Sequence, residues 1–286
     1  MIKIKYFFQF IFIIIFFLIF KILGLKLASY LSGKLFELIG PFFRSKEIII
    51  KNIRRAFPDV DSVKLNKITL SMWNNYGRVF AEYMFIKDFS NNKLENNIII
   101  NNKDVLYEIK KKNKQVIFIS GHFSNFELMA MQISKCGINL SAIYRPLNNF
   151  FLNPLMESLR KKYICKNQIK KGISGIRDLI YFLKKGHSTA LMIDQRVSEG
   201  IKIKFFNEDA FTTTIPAQIV KKFKIPIVPI FIERFEGTKF KINVMNPIHF
   251  NEEETINSIT TKLNKTLEDM VIKSPDHWIW SHNRWK

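Results

Sequence analysis

A chain of 286 residues, 47% of them apolar, can bury a core and is too hydrophobic for general disorder, so one domain or two small ones is expected. Its 45 Lys and Arg against 24 Asp and Glu give a formal charge of +21, which calls for an anionic partner or surface, nucleic acid or phospholipid. Cys136 and Cys165 are the only cysteines, with neither a CxxC spacing nor a paired His, which argues against a disulfide framework and against a zinc site.

From the N-terminus, Tyr6 to Phe20 has Gln9 as its only polar residue, and Ile22 to Leu25 extend the run past Lys21. Twenty such residues rise about 30 Å as a helix, the thickness of a bilayer core, if the Lys21 amine snorkels outward. No small-x-small cleavage site follows, so a retained anchor is expected over residues 1–26, with a single soluble or surface-lying domain over 27–286. Two lysines, Lys3 and Lys5, precede the run, whereas Lys21, Lys26, Lys34, Arg44 and further cations follow it. The richer flank stays cytoplasmic, which predicts a single-pass protein with its body on the cytoplasmic side of the inner membrane. Between Leu27 and Phe57, Leu31, Leu35, Leu38 and Phe42 interleave with basic residues, as in a helix among anionic head groups or an ordinary core helix with a solvated basic face.

The segment 62–87 reads as helical. Gln115 to Ser120 reads as a buried strand stopping at Gly121, followed by a helix over Phe126 to Ile133, a strand at Leu140 to Tyr144 and helices at 151–163 and 176–185. Further strands are expected at 189–193, 227–232 and 239–244. Strands alternating with helices imply an α/β fold with a mainly parallel central sheet flanked by helices, and ligands in such sheets sit beyond the carboxyl ends of the strands. His122 and Asp194 both occupy that kind of position.

The sharpest local feature is Gly121-His122-Phe123-Ser124-Asn125-Phe126-Glu127. His249 and Glu254 repeat the His-x4-acid spacing, so spacing alone carries nothing; context separates the two. His249 meets acidic residues suited to a solvated helix start. His122 sits between a buried strand and a helix, where Ser124 and Glu127 also fit a capping box. A neutral imidazole there can take a proton from an attacking alcohol, with a carboxylate on its other nitrogen fixing the tautomer. The absence of HExxH-type spacing disfavours a metallohydrolase, and the absence of G-x-S-x-G disfavours a covalent serine enzyme.

These residues resemble the late acyltransferases of lipid A biosynthesis, whose His-Phe-x3-Glu motif is matched by His122, Phe123 and Glu127. Asn52 to Pro58 resembles an early Asn-Leu/Ile-x-x-x-Phe-Pro element of that family, and Tyr144-Arg145-Pro146 its Tyr-Arg-Pro block. Arg160, fifteen residues after Arg145, and Asp194 fall where the family carries an important Arg and Asp. Phe205 to Thr214 and the ending PDHWIWSHNRWK complete an ordered match from residue 45 onward. Asn207-Glu208-Asp209 where a Gly is usual, Asn283 for a terminal Arg, and Phe150 after Asn149 depart from the pattern. The resemblance implies the fold of glycerol-phosphate acyltransferases and O-acyl transfer from acyl carrier protein to a hydroxyl of a lipid A precursor in the membrane. In that reading His122 is the base, Glu127 orients it, and Arg160, Asp194 and Arg145 serve substrate binding, with Asp194 ranked behind Arg160 as the group that orients it or a neighbouring amide. No cofactor and no metal is implied; acyl carrier protein is the co-substrate's carrier. Trp278, Trp280, Arg284 and Lys286 suit either the membrane interface or the core. A related acyltransferase acting on a glycerophospholipid or glycosylated phospholipid is the first alternative. A non-enzymatic basic membrane-binding protein is the second, and nucleic acid is disfavoured for want of a recognisable binding motif.

Overall fold

The computed structural model describes residues 2–286. Four helices come first: α1 (Ile2–Ile39), α2 (Lys46–Ala56), α3 (Ser62–Glu82) and the short α4 (Ile86–Ser90). Then follow β1 (Ile98–Asn101), α5 (Asp104–Lys111), β2 (Ile117–Ser120), α6 (Glu127–Lys135), β3 (Leu140–Tyr144), α7 (Asn153–Tyr163), β4 (Asn167–Lys170), α8 (Ile173–Lys184) and β5 (Ser188–Met192). The chain continues through the hairpin β6 (Ile201–Phe205) and β7 (Glu208–Thr212), α9 (Ile215–Phe223), β8 (Ile227–Glu236), β9 (Lys239–Val244) and α10 (Ile256–Lys273).

Seven strands form one sheet in the order β1-β9-β8-β2-β5-β3-β4, parallel throughout except for the antiparallel β8–β9 pair. The α/β architecture expected from the alternation is therefore the one observed. β2 at the centre is buried at every position, which is why it reads as an unbroken apolar run rather than an alternating one. The edge strands β1 and β4 escaped the sequence reading because each is four residues long and half polar or half exposed. The β6–β7 hairpin turns through Phe206 and Asn207, both left-handed at φ 50° and 60°. Asn207 thus supplies at the turn the backbone freedom that a Gly would.

Of the described helices, α1 is the one long and apolar enough to cross a membrane, with mean hydropathy 2.7 over its most apolar window. It is broken at Gly24, whose φ of 76° is left-handed. On both sides of that break one face packs on the body. Phe17 and Phe20 meet Phe80, and the Tyr6 carbonyl accepts from Asn149 Nδ2 at 2.8 Å. Beyond the break, Ala28, Ser29, Ser32 and Gly33 are small enough for close approach to α3, and Ser32 Oγ donates to the Gly77 carbonyl at 2.6 Å. Of the two readings of Leu27 to Phe57, the core helix describes this inner face, while Leu27, Tyr30, Leu31, Leu38, Phe42 and Phe43 remain exposed outside it.

Candidate active site

Register explains the central pairing. β2 and β5 lie side by side with Ser120 opposite Met192, so the residues two positions beyond each strand end, His122 and Asp194, emerge together at the carboxyl edge of the sheet. Gly121 makes the turn possible, since a Cβ there would lie 2.9 Å from the Phe123 ring and 3.2 Å from Asp194 Oδ2.

Asp194 is 1% exposed and gathers three donors. The His122 ring meets it at 2.8 Å (Nδ1 to Oδ1), the His122 amide donates to Oδ2 at 2.7 Å, and the Trp278 indole donates to Oδ2 at 3.0 Å. Burial pushes the Asp194 carboxyl up, but the His122 charge and these hydrogen bonds outweigh it and hold it below the usual range. Burial likewise works against a charged His122, yet the Asp194 charge and hydrogen bond prevail and raise its pKa. With Nδ1–H directed at the carboxylate, Nε2 is left to accept a proton. The ring, packed edge-on to Phe126, lines a narrow hollow of about 40 Å³ with Met72, Val79, Phe126 and Trp278.

The expected His122–Glu127 pair is not made. Glu127, in the first turn of α6, instead accepts at one oxygen from Tyr83 (2.6 Å) and from Arg160 Nε (2.8 Å) and Nη2 (2.6 Å). A carboxylate buried beside a guanidinium takes that charge-assisted fork in preference to a neutral ring. The neighbourhood is shared all the same, because the Glu127 charge adds to the rise of the His122 pKa and the Arg160 charge opposes it. Of the two roles expected of Asp194, it does not orient Arg160, which Glu127 holds, but it does take a neighbouring amide, that of His122, together with the ring. Burial works against the Arg160 charge, but Glu127 prevails and raises its pKa. The guanidinium lies between the Tyr83 and Tyr144 rings, 6.0 and 5.7 Å from their centroids. Its Nη1 takes part in none of the hydrogen bonds among the described residues.

The capping box does not form either. Ser124 has a left-handed φ of 41° and its Oγ accepts the Arg234 amide at 3.1 Å, so it stabilises the turn from the β8 side. Arg145 is exposed and joins neither cluster. Trp278 and Trp280 are 1% and 0% exposed, which decides for the core over the membrane interface. Trp278 bridges to Phe123, and Asn52 fixes the segment by donating to the carbonyls of Trp280 and His282 at 2.8 Å each. Arg284 is fully buried, donating from Nη2 to Thr212 Oγ1 at 2.7 Å.

Sequence reasoning missed a buried ion pair beneath the His122 turn. Glu82 and Arg234 bond through both guanidinium Nη atoms, while Ser29 Oγ of α1 and Asn125 Nδ2 donate to the same carboxylate at 2.8 and 3.0 Å. The available signal was compositional: an acid amid Val79, Phe80, Ala81 and Met84, and an Arg in the strand run that begins at Ile227, are charges that cannot stay buried unpaired. No group of three or more potential metal ligands exists among the described residues.

Residues 1–286 match the family described as bacterial lipid A biosynthesis acyltransferase. The chain is 21% identical over 265 residues to the lipid A biosynthesis palmitoleoyltransferase of Escherichia coli K12, covering 90% of this chain and 84% of that protein. It is 20% identical over 251 residues to the lauroyltransferase of the same organism, covering 85% and 79%. Among solved structures, the 1-acyl-sn-glycerophosphate acyltransferase PlsC of Thermotoga maritima aligns with a TM-score of 0.43 at 13% identity, covering 90% of this chain and 100% of that one.

Proposed function

Because the chain belongs to the bacterial lipid A biosynthesis acyltransferase family, and so to enzymes of acyl transfer in that pathway, we propose that it moves a fatty acyl group from an acyl carrier protein thioester directly to a hydroxyl of a membrane-held lipid A precursor. The observation that carries the mechanism is the His122–Asp194 pair at the carboxyl edge of the sheet. The lipid hydroxyl gives its proton to Nε2 as its oxygen attacks the thioester carbon, and Asp194 stabilises the imidazolium that results. The tetrahedral oxyanion is met by the free Nη1 of Arg160, held in place by Glu127. Collapse breaks the carbon–sulfur bond, and the departing thiolate takes the proton from His122, leaving ester and free thiol. No acyl-enzyme forms. His122 and Arg160 are the catalytic residues in this scheme; Asp194 and Glu127 are positioning residues.

The outward face of α1 attaches the enzyme to the inner membrane, with the body on the cytoplasmic side that the excess of cations after Phe20 favours. The same cations attract the acidic carrier protein and the phosphates of the acceptor. Family membership favours this reading over transfer to a glycerophospholipid and over a non-enzymatic binding role.

The test is mass spectrometry of a phosphorylated tetra-acyl glucosamine disaccharide incubated with membranes carrying the protein and a panel of acyl carrier protein thioesters. One acyl mass increment is expected, and none with His122→Ala, which should still sediment with membranes. Undiminished transfer by that variant overturns the mechanism.

A further inference from the structure

A second, larger hollow adjoins the one His122 faces. It has a volume of about 500 Å³, lies between the second half of α1, the outer face of α3 and the segment after α10, and shares Asn75 and His277 with its neighbour. That volume suits one small polar ligand or a ring or two of a larger one. Its walls are rich in side chains that both donate and accept: Asn66, Ser71, Asn74 and Asn75 on α3. Asn66, Ser71 and Lys67 take part in no side-chain hydrogen bond or ion pair among the described residues, and His277 has a buried Nδ1 with no partner. Polar capacity is therefore unused on the α3 wall of the cavity and at His277.

Its charges select among ligands. Lys34 pairs with Glu37 at 2.9 Å and Arg234 with Glu82, so those charges cancel and leave Lys67 and Asp276 as the lining charges without an ion-pair partner among the described residues. One free ammonium against one free carboxylate offers a phosphate dianion no net attraction. Hydroxyl groups find an acceptor in Asp276 and both donors and acceptors in Asn66 and Ser71. The rim adds a second constraint. Val63 and Leu70 of α3 are 78% and 39% exposed, and Leu31 and Leu38, one turn to either side of Lys34 on α1, are also exposed. A polar floor inside an aliphatic rim fits the head group of a lipid rather than a free sugar.

We infer that this cavity holds a hydroxylated sugar ring of the acyl acceptor, with its hydrocarbon chains leaving across the Leu31, Leu38, Val63 and Leu70 rim. The acceptor then reaches His122 past Asn75 and His277. This inference rests on the function proposed above for the acceptor's chemical class, and it assigns that class a place distinct from the His122 hollow.

Two variants of the full chain in detergent test it. Ser71→Trp fills the cavity, and Asn66→Ala with Lys67→Ala removes unpaired polar groups from an exposed helix face that Ala tolerates well. Binding of the phosphorylated tetra-acyl disaccharide should weaken about tenfold in each, a loss of about 1.4 kcal/mol, with KM for the acceptor rising in step and KM for the carrier thioester unchanged. The dephosphorylated lipid should lose the same factor. Unchanged acceptor binding overturns the assignment, as does a rise confined to the thioester KM, which would place the donor's arm here. A loss confined to the phosphorylated lipid also overturns it, because the cavity would then be a phosphate site. Binding needs no turnover, so a failure of the His122 mechanism would show separately, as transfer surviving His122→Ala.

Discussion

At the scale of single residues, the two carboxylates of the site have different work, and that difference is measurable. In the proposed mechanism His122 serves as a base only when neutral, and its pKa lies above the ordinary imidazole value because of Asp194, so kcat/KM should rise with pH through that raised value. Asp194→Asn removes the charge and favours the wrong tautomer. It should cut kcat by about 10²- to 10⁴-fold and move the acid limb of the profile to lower pH. Glu127→Gln loosens Arg160 and should lower kcat while moving that limb far less, since the Glu127 charge is a lesser influence on His122. A pH–rate profile of both variants decides the assignment; equal displacement by the two would return Glu127 to the ring. Stability follows the same pair. The contribution of Asp194, whose pKa is depressed, is present above its ordinary value near 3.9 and lost as pH falls through the folded one. That of His122, whose pKa is raised, is present below about 6.5 and lost as pH rises through its folded value. Each of these residues was visible in the sequence. Which carboxylate reaches the imidazole was not, because it depends on the register of β2 against β5 across 72 positions of chain.

At the scale of elements, α1 and α3 form a close pair whose geometry turns on Gly77. A Cβ there would lie 2.1 Å from the Ser32 carbonyl oxygen, so Gly77→Ala must separate the helices, with an expected loss of about 1–3 kcal/mol in chemical denaturation. The Glu82–Arg234 pair ties α3 and β8 to the His122 turn through Asn125 and Ser124, and to α1 through Ser29. Breaking it by Arg234→Met leaves a buried carboxylate and should cost about 3–5 kcal/mol, whereas Ser29→Ala, which removes a hydrogen bond to that carboxylate and one from Arg78, should cost about 1.5–3 kcal/mol. The helices α3, α6, α7 and α8 and the central strands were legible from their apolar spacing, whereas α5 and α9, eight and nine residues long, were not among the expected elements. The strand at Leu140–Tyr144 and the one at Lys239–Val244 fall where their composition places them. The hairpin at 201–212 was not legible as strands, since Lys202, Lys204, Glu208 and Asp209 dilute its apolar face and its turn uses Phe206 and Asn207 rather than a glycine.

At the scale of the whole molecule, α1 presents two chemically similar faces to different surroundings. Its inward residues, such as Phe17 and Phe20, belong to the core, while Phe8, Phe12, Ile19 and Ile22 are exposed. Replacing Phe8, Phe12 and Ile19 by Ser should release the protein from vesicles in a flotation assay without lowering its unfolding midpoint. Phe20→Ala should do the reverse, lowering stability by about 3–5 kcal/mol. Composition announced an apolar helix but could not say which side faces the body, because a helix apolar all round carries no directional signal. The segment from Pro275 to Trp285 carries a last consequence. Trp278 donates its indole N–H to Asp194 and Trp285 donates to the Phe205 carbonyl, so a segment 84 and 80 positions further along the chain roofs the edge of the sheet where His122 and Asp194 meet. Without Trp278 the Asp194 carboxylate would lose one of its three donors and the ring that covers it, although His122 and Arg160 would keep their places in the sequence. The carboxylate that holds the imidazole in one tautomer thus owes its cover to a segment outside the sheet that carries both groups.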